Sequence, residues 1–209
     1  MTRGGRGATV YVATKNDGKL RELEAVFAGA GFALRTFDAY ADPVEGDSSY
    51  ADNAALKARA LHAQLLAAGV SANVLADDSG LEVLALGGRP GVLTAYYGGA
   101  DLPWSERRRK LLHELAAHRA GADRRARFVC ALHFIEAGGR EFAVLGTVDG
   151  EISPAEQGEL GFSFDPVFFY PPAAQTFAEL SAAEKNRVSH RAVAAAALLE
   201  ALGRANVSP

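Results

Sequence analysis

Strand-like runs alternate with helix-period apolar patterns in the first part of the chain, and this alternation limits the folds available to it. Each run is short and β-prone, and a helical pattern separates it from the next one. Such an order predicts an α/β protein with a largely parallel core. The strand-like runs are 10–13, 32–37 and 74–76, and the helical patterns cover 20–27 and 50–69.

The second half of the chain adds features of an antiparallel sheet. Two strand-like runs flank a glycine-containing turn, which indicates a hairpin. Ser105 is the predicted cap of a helix that precedes this hairpin and runs to about His118. We interpret the basic run of this helix, Arg107 to Lys110, as a solvated face. The predicted strands lie at 126–136, 141–148 and 167–170, and the predicted helices at 105–118 and 189–202.

The composition is that of one globular domain, which we place at residues 1–209. Of the 209 residues, 49% are hydrophobic and 22% are charged, which is an ordinary balance. The net charge of −3 gives no general attraction to nucleic acid or to an anionic membrane. Cys130, the only cysteine, lies in an apolar run, so we expect a buried thiol. We see no signal peptide or membrane span and expect a cytoplasmic protein.

Two adjacent carboxylates, Asp77 and Asp78, directly follow the apolar run 74–76 and precede Ser79-Gly80. Because ligands bind at the carboxyl ends of strands in α/β proteins, the pattern indicates a metal site; the alternative is an acidic surface turn. Successive strand residues point to opposite faces of a sheet. We therefore expect the strand to end at Ser79-Gly80, since the two carboxylates converge only if it breaks there.

The polar segment Thr14 to Lys19 lies between the first strand and the first helix. Backbone N–H groups at the helix start, the Thr14 hydroxyl, the Asn16 amide and the Lys19 ammonium offer a cradle for phosphates. The segment is not a Walker A loop, and an exposed capping loop is its alternative interpretation.

The run Ser189-His190-Arg191 opens the last predicted helix, and Lys185 lies just upstream of it, after a capping-box pattern at Ser181 to Glu184. Cations are unfavourable at this positive end of the helix dipole unless an anionic or carbonyl-bearing ligand is present. This placement indicates a binding role, with a satisfied structural histidine as the alternative for His190.

The loop 161–166 carries two aromatic rings and a carboxylate in front of a strand. Aromatic side chains in loops stack on nucleotide bases, so Phe162 and Phe164 are candidates for a base contact. The alternative is that both rings cover the core. Pro166 restricts the backbone of Asp165 and so fixes the turn.

Taken together, these motifs closely resemble the inosine triphosphate pyrophosphatase family over residues 11–202. The resemblance implies an α/β fold with an elongated mixed central sheet flanked by helices and an active-site cleft between two lobes of one domain. It also implies a magnesium-dependent homodimer that hydrolyses noncanonical purine nucleoside triphosphates (ITP, dITP and XTP) to the monophosphate and pyrophosphate, cleansing the nucleotide pool. The motifs are Thr14-x-Asn16-x-x-Lys19, Asn53-Ala54-x-x-Lys57-Ala58, Ala76-Asp77-Asp78-Ser79-Gly80-Leu81, Phe162-x-x-Asp165-Pro166 and Lys185-x-x-x-Ser189-His190-Arg191.

The resemblance implies a role for each matching residue. Asp78 is expected to accept a proton and to bind Mg²⁺, Asp77 and Glu45 to support the metal, and Ser79 to touch the substrate. The implied phosphate contacts are Thr14, Asn16, Lys19 and Lys57, the nucleoside contacts are Phe162, Phe164 and Asp165, and the base-reading residues are Lys185, His190 and Arg191.

These residue types suit the implied chemistry. Mg²⁺ is usually held by one or two carboxylates together with substrate phosphates, and it lowers the pKa of bound water. We hypothesise that water attacks the α-phosphorus. Lys185 and Arg191 donate hydrogen bonds and accept none, which suits a 6-oxo purine and opposes the 6-amino group of adenine.

The chain departs from the family pattern at three positions. Ser163 and Phe164 replace a glycine and a tyrosine of many bacterial relatives, and Tyr96 stands where many carry an arginine. Two other functions are alternatives: a nucleotide sensor that does not hydrolyse its ligand, and a pyrophosphatase for modified pyrimidine triphosphates. Turnover separates the sensor from the enzymes, and a nucleotide panel separates the two enzymes.

Overall fold

The computed structural model describes residues 8–117 and 123–205. The strands of this part of the chain are β1 (Ala8–Val12), β2 (Phe32–Arg35), β3 (Asn73–Val83), β4 (Arg125–Ile135), β5 (Glu141–Ile152), β6 (Phe168–Tyr170) and β7 (Gln175–Thr176). The α-helices are α1 (Asp17–Val26), α2 (Tyr50–Ala67), α3 (Trp104–Ala117), α4 (Ala182–Val188) and α5 (His190–Ala205). The strands form one seven-stranded sheet in the order β2-β1-β3-β4-β5-β6-β7.

The sheet is mixed, as the sequence predicted. β1 is parallel to β2 and to β3, with Ala8 opposite Phe32 and Val10 opposite Asn73. β6 is antiparallel to β5 and to β7. The parallel pairs belong to the strand-helix alternation of the first part of the chain, and the antiparallel pairs to the second.

The chain packs as two compact units. Unit 1 comprises the residues up to Asp78, 131–146 and those from Arg191 on. Unit 2 comprises 79–130 and 147–190. Strands β3, β4 and β5 contribute residues to both units.

Each unit has its own apolar core. In unit 1, the inward positions of α2 recur at helical spacing as Ala58, Leu61 and Leu65, and they pack with Val74 and Ala76 of β3. The core of unit 2 is aromatic. Its rings include Phe128, whose centroid lies 4.5 Å from that of Phe168 and 5.9 Å from that of Phe177.

The predicted end of the third strand at Ser79-Gly80 is wrong, because β3 runs unbroken to Val83. Leu81 and Val83 are fully buried in the core of unit 2. Their alternation with the half-buried Glu82 is the period-two pattern of a strand, so burial beyond the two aspartates extends the element.

The interpretation of Arg107 to Lys110 as a solvated face is wrong for its first two residues. Arg107 is buried, and its guanidinium donates to the carbonyls of Leu102, Ala95 and Ala100. A buried guanidinium needs acceptors, and these three carbonyls supply them. Arg109 and Lys110 are exposed, as predicted.

Other sequence expectations have mixed outcomes. α3 begins at Trp104, so Ser105 lies inside the helix rather than capping it, and His118 lies outside the described residues. Cys130 is buried, as predicted. Within the described ranges, no helix is both long and apolar enough to cross a membrane.

Candidate active site

Asp77 and Asp78 point to opposite faces of β3, because the strand continues through both residues. The Oδ1 atom of Asp77 lies 2.5 Å from Nζ of Lys19, and its Oδ2 atom lies 3.2 Å from Nε of Arg191. On the other face, the Oδ1 atom of Asp78 lies 2.8 Å from Nζ of Lys57. The two carboxylates are therefore surrounded by different cations.

Burial makes the Asp78 carboxylate more basic than a solvated one. Desolvation raises its pKa and Asp77 adds to this effect, which together outweigh the attraction of Lys57 and Lys19. Burial also opposes the charge of Lys57, but the carboxylates of Asp78, Glu45 and Asp77 prevail and raise the pKa of this ammonium. Lys57 therefore stays charged beside a carboxylate that is well suited to accept a proton.

Residues 42–49, between β2 and α2, form an acidic loop that brings a second carboxylate to Lys57. Nζ of Lys57 lies 3.5 Å from Oε2 of Glu45 in this loop. Asn53, one turn before Lys57 on α2, holds this loop. Its Oδ1 accepts from Gly46 N at 2.9 Å, and its Nδ2 donates to Gly46 O at 3.0 Å and to Oδ2 of Asp78 at 3.4 Å. Glu45 and Asp78 thus converge on one ammonium group.

This donor set fits a magnesium ion that is shared with substrate. In the described part of the chain, no three His, Cys, Asp or Glu side chains are grouped closely enough to hold a metal ion by themselves. Mg²⁺ does not need such a cage, because one or two carboxylates and substrate phosphates complete its octahedral shell. Glu45 and Asp78 supply hard oxygen ligands of this kind.

The predicted phosphate loop caps α1 and also lines a cavity. Oδ1 of Asn16 accepts from Lys19 N at 3.0 Å, and Thr14 Oγ1 accepts from Asn16 N at 3.1 Å. The capping alternative is therefore part of the structure. Thr14 and Asn16 also line a cavity of about 300 Å³ together with residues of the segment 36–40, so the loop also borders space for a ligand.

Glu22 is a buried charged residue of unit 1 that sequence reasoning missed. Its Oε2 atom lies 2.7 Å from NH1 of Arg191, and the same guanidinium reaches Asp77. Glu22 follows Lys19 by three residues and so lies on the same face of α1, which is the signal that the sequence carried. Lys19, Asp77, Arg191 and Glu22 form an alternating chain of charges, which we call the Asp77 network.

Asp165 and Lys185 form a buried ion pair in unit 2, with Nζ 2.5 Å from Oδ2. Asp165 Oδ2 also accepts from Phe162 N at 2.7 Å. The Lys185 ammonium lies 4.9 Å from the centroid of the Phe162 ring, at the distance of a cation–π contact. Lys185 belongs to α4, which opens with a capping box at Ser181 and Glu184. Three of the predicted nucleoside-contacting and base-reading residues therefore lie together.

Phe164 and His190 have core positions in unit 2. Phe164 is fully buried, and its ring centroid lies 5.5 Å from that of Trp104 and 6.1 Å from that of Tyr97. The His190 ring stacks on Phe128 at 4.8 Å with an interplanar angle of 15°. Both residues thus have the environment of their structural alternatives, and their predicted ligand contacts stay predictions. Ser79 is half-buried within β3, so its substrate contact also stays a prediction.

The chain belongs to the Ham1 family, whose sequence model matches residues 10–201. This membership covers nearly all of the described residues and confirms the family resemblance read from the motifs.

Similar proteins support the same assignment. The chain is 44% identical over 199 residues to the dITP/XTP pyrophosphatase of Thermus thermophilus, covering 94% of this chain and 92% of that protein. It is 45% identical over 188 residues to the dITP/XTP pyrophosphatase of Geobacillus kaustophilus, covering 88% and 89%. The structure of the Staphylococcus aureus Ham1 protein is similar with a TM-score of 0.79 at 33% identity, covering 94% of this chain and 99% of that one. The predicted α/β fold with a mixed central sheet flanked by helices is therefore confirmed.

Proposed function

We propose that the protein hydrolyses noncanonical purine nucleoside triphosphates, namely ITP, dITP and XTP, to the nucleoside monophosphate and pyrophosphate. The observation that carries the proposal is the buried Asp78 carboxylate, which Lys57 holds beside Glu45 in a chain of the Ham1 family. The similarity to two dITP/XTP pyrophosphatases supports the substrate class. We also propose a cytoplasmic homodimer, as the sequence resemblance implies.

Asp78 is the proposed general base. Asp78 and Glu45 would hold Mg²⁺, which when bound polarises the phosphoryl oxygens and lowers the pKa of water. Asp78 takes the proton from the water that attacks the α-phosphorus, and its raised pKa favours this transfer. The bond from the α-phosphorus to the bridging oxygen breaks, and pyrophosphate leaves.

The lysines of unit 1 offset the charge of the leaving group. Lys19 and Lys57 place ammonium groups beside the carboxylates, where charge develops on the pyrophosphate. Thr14 and Asn16 contribute polar groups of the loop before α1 to phosphate binding. For Asp77 we propose a supporting role: it orients Lys19 and Arg191, and any support of the metal acts through that orientation.

Base selection is proposed for the Phe162, Asp165 and Lys185 cluster of unit 2, with His190 and Ser79 of the same unit. Phe162 offers an aromatic face for stacking, which is worth roughly 1–3 kcal/mol per base. Lys185 donates to a 6-oxo group but accepts nothing from a 6-amino group. Arg191 belongs to the Asp77 network of unit 1, and its base contact stays a prediction. We propose that the buried Phe164 supports the Phe162 loop from the core.

A nucleotide panel tests the proposal. Purified protein with Mg²⁺ is given ITP, XTP, ATP and a modified pyrimidine triphosphate, and pyrophosphate release is measured for each. Faster turnover of ITP and XTP than of ATP is expected, and equal turnover of ITP and ATP would contradict the base assignment. Preference for the pyrimidine would favour the related pyrophosphatase, and binding without turnover would favour a sensor.

A further inference from the structure

Arg108 of α3 reaches across to the loop that carries Phe162, although its sequence position suggested a solvated face. Its NH1 atom donates to the Ser163 carbonyl at 2.9 Å. Its Nε atom lies 2.9 Å from Oε2 of Glu156, and its side chain is only 14% exposed. One guanidinium therefore contacts both Glu156, before the loop, and Ser163 within it.

The contact falls where the loop backbone is least favourable. Ser163 has a φ of +59°, in the left-handed region that residues with a Cβ atom seldom adopt. Such a conformation persists only where the surroundings hold it. A charge-assisted bond to the carbonyl of the same residue is a restraint of this kind, and it is stronger than a neutral hydrogen bond.

The neighbours of Ser163 tie this turn to the predicted base-reading cluster. Phe162 N donates to Oδ2 of Asp165 and Asp165 N donates to Phe162 O, so the turn is closed around Ser163. Phe162 faces the Lys185 ammonium, and Phe164 anchors the far side of the turn in the core. A change in the Ser163 backbone therefore moves the Phe162 ring.

We propose that Arg108 is a positioning residue for nucleoside recognition, which holds the left-handed turn at Ser163 and thereby fixes the Phe162 ring beside Lys185. The proposal rests on the proposed function for the role of the Phe162 cluster. It makes Arg108 a determinant of substrate affinity rather than of the chemical step, because the carboxylates and lysines proposed for catalysis belong to unit 1.

Steady-state kinetics with ITP test this role in Arg108→Met, which keeps the aliphatic stem and removes the fork of donors. We expect KM to rise about ten-fold and kcat to change by less than about two-fold. Arg108→Lys should restore part of the affinity, because an ammonium replaces the charge but not both contacts. The matched control is Arg109→Met, the exposed neighbour that pairs with Glu106, and its KM should not change. An unchanged KM in Arg108→Met, or an equal loss in kcat and kcat/KM, would overturn the proposal.

A double-variant cycle tests whether Arg108 acts through Ser163. Glycine adopts the left-handed region without steric penalty. In the Ser163→Gly background, Arg108→Met should therefore raise KM by less than about three-fold, so that the two effects are not additive. The same increase in both backgrounds would show that Arg108 does not act by holding this turn.

Trp104 gives a readout that does not depend on turnover. It is the only tryptophan of the chain, and its ring packs edge-on against Phe164. Arg108→Met should shift the Trp104 emission and increase its quenching by acrylamide, and Ser163→Gly should reduce this effect. No emission change would overturn the proposal even if ITP is hydrolysed. The wild-type protein could fail to hydrolyse ITP while the variants still show these emission changes. That result would support the positioning of the loop by Arg108 and refute the proposed substrate.

Discussion

The carboxylate of Asp78 combines two properties that normally conflict. Burial raises its pKa and so strengthens it as a base, while the Lys57 ammonium keeps the ionised form accessible. Asp77, one residue earlier, is held between Lys19 and Arg191 instead. Adjacent residues of the same type thus have different proposed roles because a strand turns them to opposite faces.

Replacing Asp78 by Asn should remove catalysis and leave the fold intact. The amide keeps the size of the side chain but cannot accept the proton, and general base catalysis contributes roughly 10²- to 10⁴-fold. We therefore expect kcat to fall by at least about 10²-fold, measured as pyrophosphate release, with an unchanged far-UV circular dichroism spectrum. Asp47→Asn, at an exposed position of the acidic loop, is the control. Retained activity in Asp78→Asn would remove this residue from its role.

The pH dependence of kcat/KM should show the raised pKa of Asp78. The base works only when ionised, so activity falls as the pH falls through this pKa, and the acid limb should lie above the ordinary value of 3.8. Because Lys57 pulls this pKa down, Lys57→Met should move the limb to higher pH as well as lower the rate. A limb that stays in place or moves to lower pH in Lys57→Met would contradict the assignment.

Residue identities at the site were more predictable from sequence than their partners. The motifs singled out Asp78 and Lys57, which the structure pairs. The separation of Asp77 from Asp78 was not predictable, since it depends on the burial of Leu81 further along β3. Glu22 was missed because a single glutamate on a helix is usually solvated.

At the level of elements, the part of the β4–β5 hairpin that belongs to unit 1 is linked to α2 by charge. Glu141 at the start of β5 accepts from Arg59 of α2, at 3.1 Å from Nε and 2.7 Å from NH2, and its Oε2 atom lies 2.9 Å from Nε2 of His133. The hydrogen bonds from Arg59, helped by His133, lower the pKa of Glu141 to about 2 against the opposing effect of burial.

Glu141→Gln should make the protein less stable at neutral pH but not in strong acid. The pKa of Glu141 is lower in the folded state than in the unfolded state, so its contribution is complete above about 4.5 and is lost as the pH falls toward about 2. The pair is partly exposed, so the loss at pH 7 should be below about 1 kcal/mol. Urea unfolding at pH 7 and at pH 2.5 measures it, with the exposed Glu24→Gln as control. A difference that grows in acid would contradict this sign.

The loop of unit 2 before Phe162 requires glycine at one position for steric reasons. Gly158 has a φ of +80°, and a Cβ atom there would lie 2.3 Å from the backbone of Ala178. Gly158→Ala should therefore lower the free energy of unfolding by more than about 2 kcal/mol. Gly138→Ala in the hairpin turn, where no atom lies within 4 Å of an added Cβ, should change it little. Equal values for the two variants in urea unfolding would refute this reading.

Element types were predictable because apolar periodicity reports burial directly. The helix predicted from about Tyr50 to Gly69 is α2, and the two predicted hairpin strands are β4 and β5. The boundaries at β3 and α3 were wrong where tertiary packing decides them. Tertiary packing also decides the environment of Arg107, which was predicted to be solvated. Its guanidinium donates hydrogen bonds to three backbone carbonyls that precede α3, and helix periodicity alone does not show such partners.

For the molecule as a whole, the predicted site residues divide between the two units, and the boundary after His190 separates Arg191 from the rest of its motif. The phosphate loop, the acidic loop, both aspartates and Arg191 belong to unit 1, whereas Phe162, Asp165, Lys185 and His190 belong to unit 2. The proposed phosphate and metal chemistry is thus concentrated in the first unit and most of the proposed base recognition in the second.

The most direct test of the proposed reaction is hydrolysis of ITP with Mg²⁺ in water enriched in oxygen-18, followed by phosphorus NMR and mass spectrometry of the products. We expect inosine monophosphate that carries one labelled oxygen, together with unlabelled pyrophosphate, because water attacks the α-phosphorus. Label in pyrophosphate would place the attack on the β-phosphorus. Orthophosphate with inosine diphosphate would show cleavage at the terminal phosphate, and either result would contradict the proposed reaction.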